Sequence, residues 1–275
     1  MSDWNVDRSI IKVAGYPGGS TIHTTVTANA AANTIGDWAE IIPSLPHDSI
    51  LIVDCTTFNS NSEFLFDLGV GAAGSEIVLV NKIAKSGGYT CSSRGILWEI
   101  PIIIPAGTRV SIRCQCKVLG SKTLSIAIIA KHYGGYNKGD FFSVCDSYGY
   151  NTSDSGGTAV DPGGVANTYG GWTEIKDSTL RNSKALLIGL GNSDNSARNV
   201  AAWSLDIAIG AIGSELIIID SYPAYCSGNL DYVTPTITPL IYVPIPAGSR
   251  IAARAVCTDT DAADRLLDII IYAFS

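Results

Sequence analysis

Ala32-Asn33-Thr34-Ile35-Gly36-Asp37-Trp38-Ala39-Glu40-Ile41 returns as Ala166-Asn167-Thr168-Tyr169-Gly170-Gly171-Trp172-Thr173-Glu174-Ile175, and this return decides how the chain is built. Three more blocks follow in the same order. Asp67-Leu68-Gly69-Val70-Gly71-Ala72-Ala73-Gly74-Ser75-Glu76-Ile77 matches Asp206-Ile207-Ala208-Ile209-Gly210-Ala211-Ile212-Gly213-Ser214-Glu215-Leu216. Ile104-Pro105-Ala106-Gly107-Thr108-Arg109-Val110 matches Ile245-Pro246-Ala247-Gly248-Ser249-Arg250-Ile251, and Leu124 to Ala130 matches Leu267 to Ala273. The offset between partners grows from 134 residues at the first block to 143 at the last, so the insertions fell between blocks, where loops lie. A repeated block of this length is a whole folding unit. Its period exceeds that of solenoid repeats and suits two tandem domains of ordinary size.

Inside each unit the pattern has period two. From Arg109 to Lys117 the residues Val110, Ile112, Cys114 and Cys116 alternate with Arg109, Ser111, Arg113, Gln115 and Lys117, which predicts a strand with one face in a core. Ile251, Ala253, Ala255 and Cys257 repeat that face, with Arg250 and Arg254 outside. Further strands are predicted at Thr21 to Thr27, Trp38 to Ile42, Ile50 to Cys55, Phe64 to Val70, Glu76 to Val80, Ile96 to Ile100 and Leu124 to Ala130. About eight short strands in one unit, separated by turn residues, is the density of a sandwich or jelly roll. Ile104-Pro105-Ala106-Gly107 fits a type I turn with Pro second and Gly fourth. No stretch carries sustained helical periodicity, although Asp261 to Leu267 could form a short helical turn.

The expected fold is therefore all-β: two tandem, duplicated antiparallel β-sandwich domains of jelly-roll type. Residues 1–19 have no place in the duplicated unit and are expected to be an N-terminal arm that docks on a neighbour. Residues 20–136 form the first domain, and 137–275 form a glycine-rich linker and the second. The last predicted strand presents Ile270, Tyr272 and Phe274 on the face opposite its core side, so that face needs cover from the sister domain or another subunit.

Only 16% of the residues are charged, against about 25% in ordinary soluble domains, while 46% are apolar. That balance points to surface buried in an assembly. A net charge of −7 with no run of Lys and Arg argues against a nucleic-acid partner. Met1 to Arg8 lacks the basic start and apolar core of a signal peptide, so synthesis in a cytoplasm is expected. Pro101 and Pro105 interrupt the apolar run at Ile102 to Ile104, and no run reaches the ~20 residues of a membrane helix. The seven cysteines, none in a C-x-x-C pair, read most simply as buried free thiols. Bonds between subunits remain open for Cys91, Cys145 and Cys226 should the protein leave the reducing compartment.

Motifs with chemical meaning fail on context. Gly69-Val70-Gly71-Ala72-Ala73-Gly74 is a G-x-G-x-x-G string, but a strand rather than a helix is predicted to follow it. The three histidines, His23, His47 and His132, all lie in the first half, and no G-x-S-x-G elbow accompanies them. Glu40 and Glu76 recur as Glu174 and Glu215, so a glycosidase pair is considered, with Trp38 and Trp172 beside it. Asp259, Asp261 and Asp264 lack the spacing of a calcium loop. No catalytic residue, cofactor or metal ligand is assigned, and the chain is expected not to be an enzyme. Trp203, Tyr222, Tyr225 and Tyr232 distinguish the second half, and together with Tyr272 and Phe274 they are the candidates for glycan or interface contact.

The runs Asp161-Pro162-Gly163-Gly164 to Ile175, Ile209 to Glu215 and Val243-Pro244-Ile245-Pro246-Ala247-Gly248-Ser249-Arg250-Ile251-Ala252-Ala253-Arg254 resemble β-rich structural proteins of tailed bacteriophages. The resemblance covers both halves from about Ala32 onward and rests on turn and strand motifs. It implies a virion component made in the host bacterial cytoplasm: an outer decoration or accessory protein of capsid, neck, collar or tail. Its partners would be further copies of itself and other virion proteins. The alternative is a receptor- or glycan-binding module at a fibre tip, with a host surface glycan as partner.

Overall fold

The computed structural model describes residues 11–14, 23–56, 63–86, 96–132, 141–192, 201–226, 236–259 and 265–275. In the first half the strands are β1 (Ile11–Ala14), β2 (Thr24–Thr27), β3 (Ala39–Ile42), β4 (Ser49–Thr56), β5 (Glu63–Val70), β6 (Ile77–Ser86), β7 (Ile96–Ile104), β8 (Val110–Cys116) and β9 (Thr123–His132). The second half contributes β10 (Cys145–Tyr148), β11 (Thr158–Val160), β12 (Thr173–Lys176), β13 (Ala185–Asn192), β14 (Ala201–Ile209), β15 (Leu216–Cys226), β16 (Thr236–Ile237), β17 (Ile251–Cys257) and β18 (Leu267–Phe274). The described residues contain no helix, and none long and apolar enough to cross a membrane.

Each half is an antiparallel sandwich. One sheet of the first half runs β1-β9-β4-β7, with β2 also on β9, and the other runs β3-β8-β5-β6. The second half repeats both orders as β10-β18-β13-β16, with β11 also on β18, and β12-β17-β14-β15. Apart from β1/β2, β10/β11 and the β5–β6 and β14–β15 hairpins, successive strands switch between sheets in the jelly-roll manner, so the two inner faces interdigitate into one core. The predicted inward residues take those places: Val110, Ile112, Cys114 and Cys116 are buried, as are Ile251, Ala253, Ala255 and Cys257.

Two local features differ from the sequence reading. The turn after Ile104 starts one residue later than expected. Thr108 N–H bonds Pro105 O at 3.3 Å, which puts Gly107 third, at φ 80°, a place type II turns reserve for glycine. Pro246 to Ser249 copies it, with Gly248 at φ 79°. Within residues 1–19, Ile11–Ala14 is a strand on β9, with Ile11 opposite Lys131 and Ala14 opposite Ile128. The remainder of that segment, and residues 133–140 at the start of the glycine-rich linker, lie outside the described residues.

The halves meet through the outer face of β18 and β13. Ile270, Tyr272 and Phe274 are at most 1% exposed and join the first half's core cluster, with Ala185 and Leu187. Trp98 packs edge-on against Tyr272 at 5.4 Å, and Phe142 lies 5.5 Å from Phe274. The Tyr272 hydroxyl donates to Lys82 O and accepts from Ala84 N–H, each at 3.1 Å. The cover that the apolar face requires thus comes from the sister half. Beside it, Gln115 Nε2 donates to Thr152 O at 2.9 Å and Ser155 Oγ at 3.1 Å, while Ser155 Oγ donates to Asn33 Oδ1 at 2.8 Å.

Candidate functional site

The most conserved feature between the halves is a charged cluster on the outer face of the β3-β8-β5-β6 sheet and of its copy. Asp67, 1% exposed, accepts from Lys82 N–H at 3.0 Å and from Arg113 Nε at 2.9 Å. Lys82 sits at φ 55°, where the β5–β6 register shifts, so the carboxylate pins a bulge. Asp206 repeats this, accepting from Ser221 N–H at 2.9 Å, Arg254 Nε at 2.8 Å and Tyr169 Oη at 3.1 Å; Ser221 is at φ 54°. Arg113 stacks on Trp38 at 4.5 Å, while Arg254 lies against both Tyr169 and Trp172 at 4.4 and 4.6 Å. Trp38 presses on Gly69 so closely that a Cβ there would stand 2.6 Å from its ring.

A second clasp joins the shared glutamates. Arg109 Nε donates to Glu40 Oε2 at 2.7 Å, and its Nη1 donates to Glu76 Oε1 at 2.8 Å. Arg250 repeats both contacts with Glu174 at 2.9 Å and Glu215 at 3.3 Å. Each guanidinium thus ties β3 or β12 to the tip of the next hairpin. Desolvation raises the pKa of Glu76, but the hydrogen bond and charge of Arg109, together with backbone N–H groups, outweigh it and the net shift is downward; the pKa of Glu215 is also lowered against desolvation, there first by backbone N–H groups at Glu215 and Gly213 and then by Arg250. A glycosidase acid must hold its proton near neutral pH. Glu76 and Glu215 are set the opposite way, as clasps.

The hairpins so clasped end in apolar edges. Ile77 is 70% and Val78 39% exposed on β6, while on β15 and its turn Ile212, Leu216 and Ile217 are 80, 64 and 38% exposed. β6 and β15 are the outermost strands of their sheets, so these apolar side chains stand at ladder edges. The sequence carried this signal in Gly210-Ala211-Ile212-Gly213-Ser214-Glu215-Leu216, where apolar residues sit inside a turn.

Three of the six residues singled out from the sequence as contact candidates are placed inside. Trp203 is 3% exposed and its Nε1 donates to Arg265 O at 3.0 Å, so it cannot stack on a glycan. Tyr272 and Phe274 are consumed by the junction of the halves. Tyr222 is partly buried against the second core, and desolvation raises its pKa. Tyr225 and Cys226 lie on β15 with side chains outside the described set, and Tyr232 and Cys91 are outside it altogether. Cys145 is buried with its thiol pKa pushed far up by desolvation, which removes it as an inter-subunit bridge in the folded chain. Cys55, Cys114, Cys116 and Cys257 are buried free thiols. Asp259 accepts from Arg265 Nη2 at 2.6 Å, which commits it to a side chain rather than to calcium. Among the described residues no group of three His, Cys, Asp or Glu is placed to hold a metal.

One aromatic was missed. Tyr242, in an extended segment without a ladder of its own, is 70% exposed, and its ring lies 6.3 Å from that of Phe142. Phe142 borders a cleft of about 470 Å³ at the junction, lined also by Ile102, Ile103, Phe141, Ser143 and Lys184.

No protein-family model matches the chain, and no curated protein matches it. Solved structures with a similar course exist. PNGF-II is 9% identical with a TM-score of 0.39; the match covers 98% of this chain and 66% of PNGF-II, so this chain spans just under two thirds of that protein. A recombinant N-glycanase F (PNGase F) is 11% identical with a TM-score of 0.41, over 91% of this chain and 95% of that one. The stem and receptor-binding domain of the spike protein P1 from bacteriophage PM2 is 9% identical with a TM-score of 0.23, over 96% of both chains. At these values none lends its activity or partner to this chain. The expectation of a chain without enzymatic activity is nevertheless not upheld, because the similar structures include N-glycanase F, whose name is that of an enzyme.

Proposed function

We propose that this chain is a structural component of a tailed-bacteriophage particle, an outer decoration or accessory protein of capsid, neck, collar or tail that assembles with copies of itself and with other virion proteins. The observation that carries this reading is the pair of exposed apolar edges, Ile77 with Val78 and Leu216 with Ile217, held out at equivalent places by Arg109 and Arg250. Apolar residues beside open strand edges are hazardous on a free protein and useful in an assembled one. The low charge content supports the same reading. Mass spectrometry and electron microscopy of purified particles test it. The chain should be present in stoichiometric amount and visible on the outer surface; its absence from washed particles would end the proposal.

A second reading, a glycan-binding module, draws support from Tyr242. An exposed ring beside a mixed apolar and polar cleft, lined by Lys184, Ser143 and Ser275 as well as Phe142, offers one face to stack on a sugar next to groups that bond hydroxyls. The Tyr242→Ala change should then weaken binding to host-surface glycan at least tenfold in isothermal titration, with the melting temperature unchanged. Undiminished binding would dismiss this cleft.

A further inference from the structure

We infer that copies of this chain associate head to tail, the β15 edge of one copy packing on the outer face of β9 and β4 of the next. The intrachain junction supplies the pattern. There the β6 edge of the first half lies on the outer face of β18 and β13, closed by Tyr272 Oη on Lys82 and Ala84, by Ser147 Oγ donating to Asn81 O at 2.7 Å, and by Leu187 and Ile270. Because the chain is duplicated, each side of that junction has a second version. Asp67 and Asp206 are equivalent, and from them the registers put Pro223, opposite Ser204, in the place of Ala84, opposite Leu65. Likewise Ile129, paired with Ile52, stands in the place of Tyr272, paired with Leu187.

Neither second version is used within the chain as described. Asp220, Ser221 and Pro223 are exposed, and Tyr242, at the place of the Pro101 that accepts Phe142 N–H, is the most exposed aromatic among the described residues. Ile52 and Ile129 are partly exposed. The two surfaces have also changed together. Where the junction needs the Ala84 N–H to meet the Tyr272 hydroxyl, the other pair offers Pro223, which has no N–H, and Ile129, which has no hydroxyl. Docking these surfaces leaves no N–H without its acceptor, whereas changing one side alone would; the carbonyl of Ser221, in the place of Lys82 O, gives up the donor that Tyr272 supplies at the junction.

A contact between two different surfaces of one protein is heterologous, and it propagates into a ring or a filament instead of stopping at a dimer. This inference rests on the assembly reading but can fail separately from it.

Analytical ultracentrifugation of the full chain tests it. Wild type should grow beyond a dimer with rising concentration. Pro223→Arg on the edge and Ile129→Arg on the face should each be monomeric alone, and their equimolar mixture should form a dimer and stop there, because it retains one good edge and one good face. Lys131→Glu serves as a milder face variant if Ile129→Arg melts early. A wild type that stays monomeric at all concentrations overturns the inference, and so does an edge variant that abolishes association while both face variants leave it intact, since that means edge-to-edge pairing. A chain present in particles but monomeric in solution overturns the head-to-tail contact and leaves the assembly reading standing. A chain that oligomerises as described but is absent from particles does the reverse.

Discussion

Asp268 is the residue whose charge state the fold perturbs in a directly testable way. It sits on β18 beside the loop that reaches the first half, accepting from Gly157 N–H at 3.2 Å. Burial raises its pKa to about 6, helped by the charges of Glu63 and Asp154 and opposed by the Gly157 N–H and by Lys117. Since that value lies above the 3.8 of a free aspartate, the native state holds the proton more tightly than the unfolded chain does. The resulting stabilisation is complete below about pH 4 and disappears as pH rises through 6. Above neutrality the charged carboxylate costs up to about 3 kcal/mol. Asp268→Asn keeps an oxygen for Gly157 N–H and cannot ionise, so it should raise the melting temperature at pH 8 and leave it nearly unchanged at pH 4. Equal melting shifts at both pH values would contradict the assignment. In the sequence Asp268 is a lone charge beside Ile270, Tyr272 and Phe274, but its raised pKa is not legible there, because its surroundings come from Glu63, Lys117 and the 149–157 loop.

Among the elements, the strand-to-strand bulges decide the shape of the edges. Each lies where an aspartate on the inner strand, Asp67 or Asp206, reaches a backbone N–H on the outer one, at Lys82 or Ser221. Asp67→Ala should cost about 2 to 4 kcal/mol in urea denaturation, because it strands a backbone donor and leaves Arg113 without its buried partner. Asp206→Ala should cost a similar amount. A loss below about 0.5 kcal/mol in both would show that the pin is ornamental. The strands themselves were legible: alternation at Val110 to Cys116 and Leu124 to Ala130 reports one buried face and needs no knowledge of the neighbour. The bulges and the one-residue offset of the turn at Pro105 were not. Both depend on which backbone donor the adjoining strand leaves free, and alternation carries no record of that.

For the whole molecule, the junction of the halves is the feature to test, because it turns two sandwiches into one cooperative body. Tyr272→Phe removes a hydroxyl that satisfies both Lys82 O and Ala84 N–H, and should cost about 1 to 3 kcal/mol while keeping the packing against Trp98. Tyr272→Ala should go further and split a single calorimetric transition into two. One undivided transition in the alanine variant would mean that the halves are coupled elsewhere. The duplication, the all-β class, the strand faces and the need to cover Ile270, Tyr272 and Phe274 could all be determined from the sequence, since each follows from local periodicity or self-comparison. What covers that face was left to the tertiary structure, as was the burial of Trp203 and Cys145 and the exposure of Tyr242 and the hairpin edges. Burial is a property of how the two halves meet, and residues alike in chemistry end up inside or outside according to a packing that no single strand encodes.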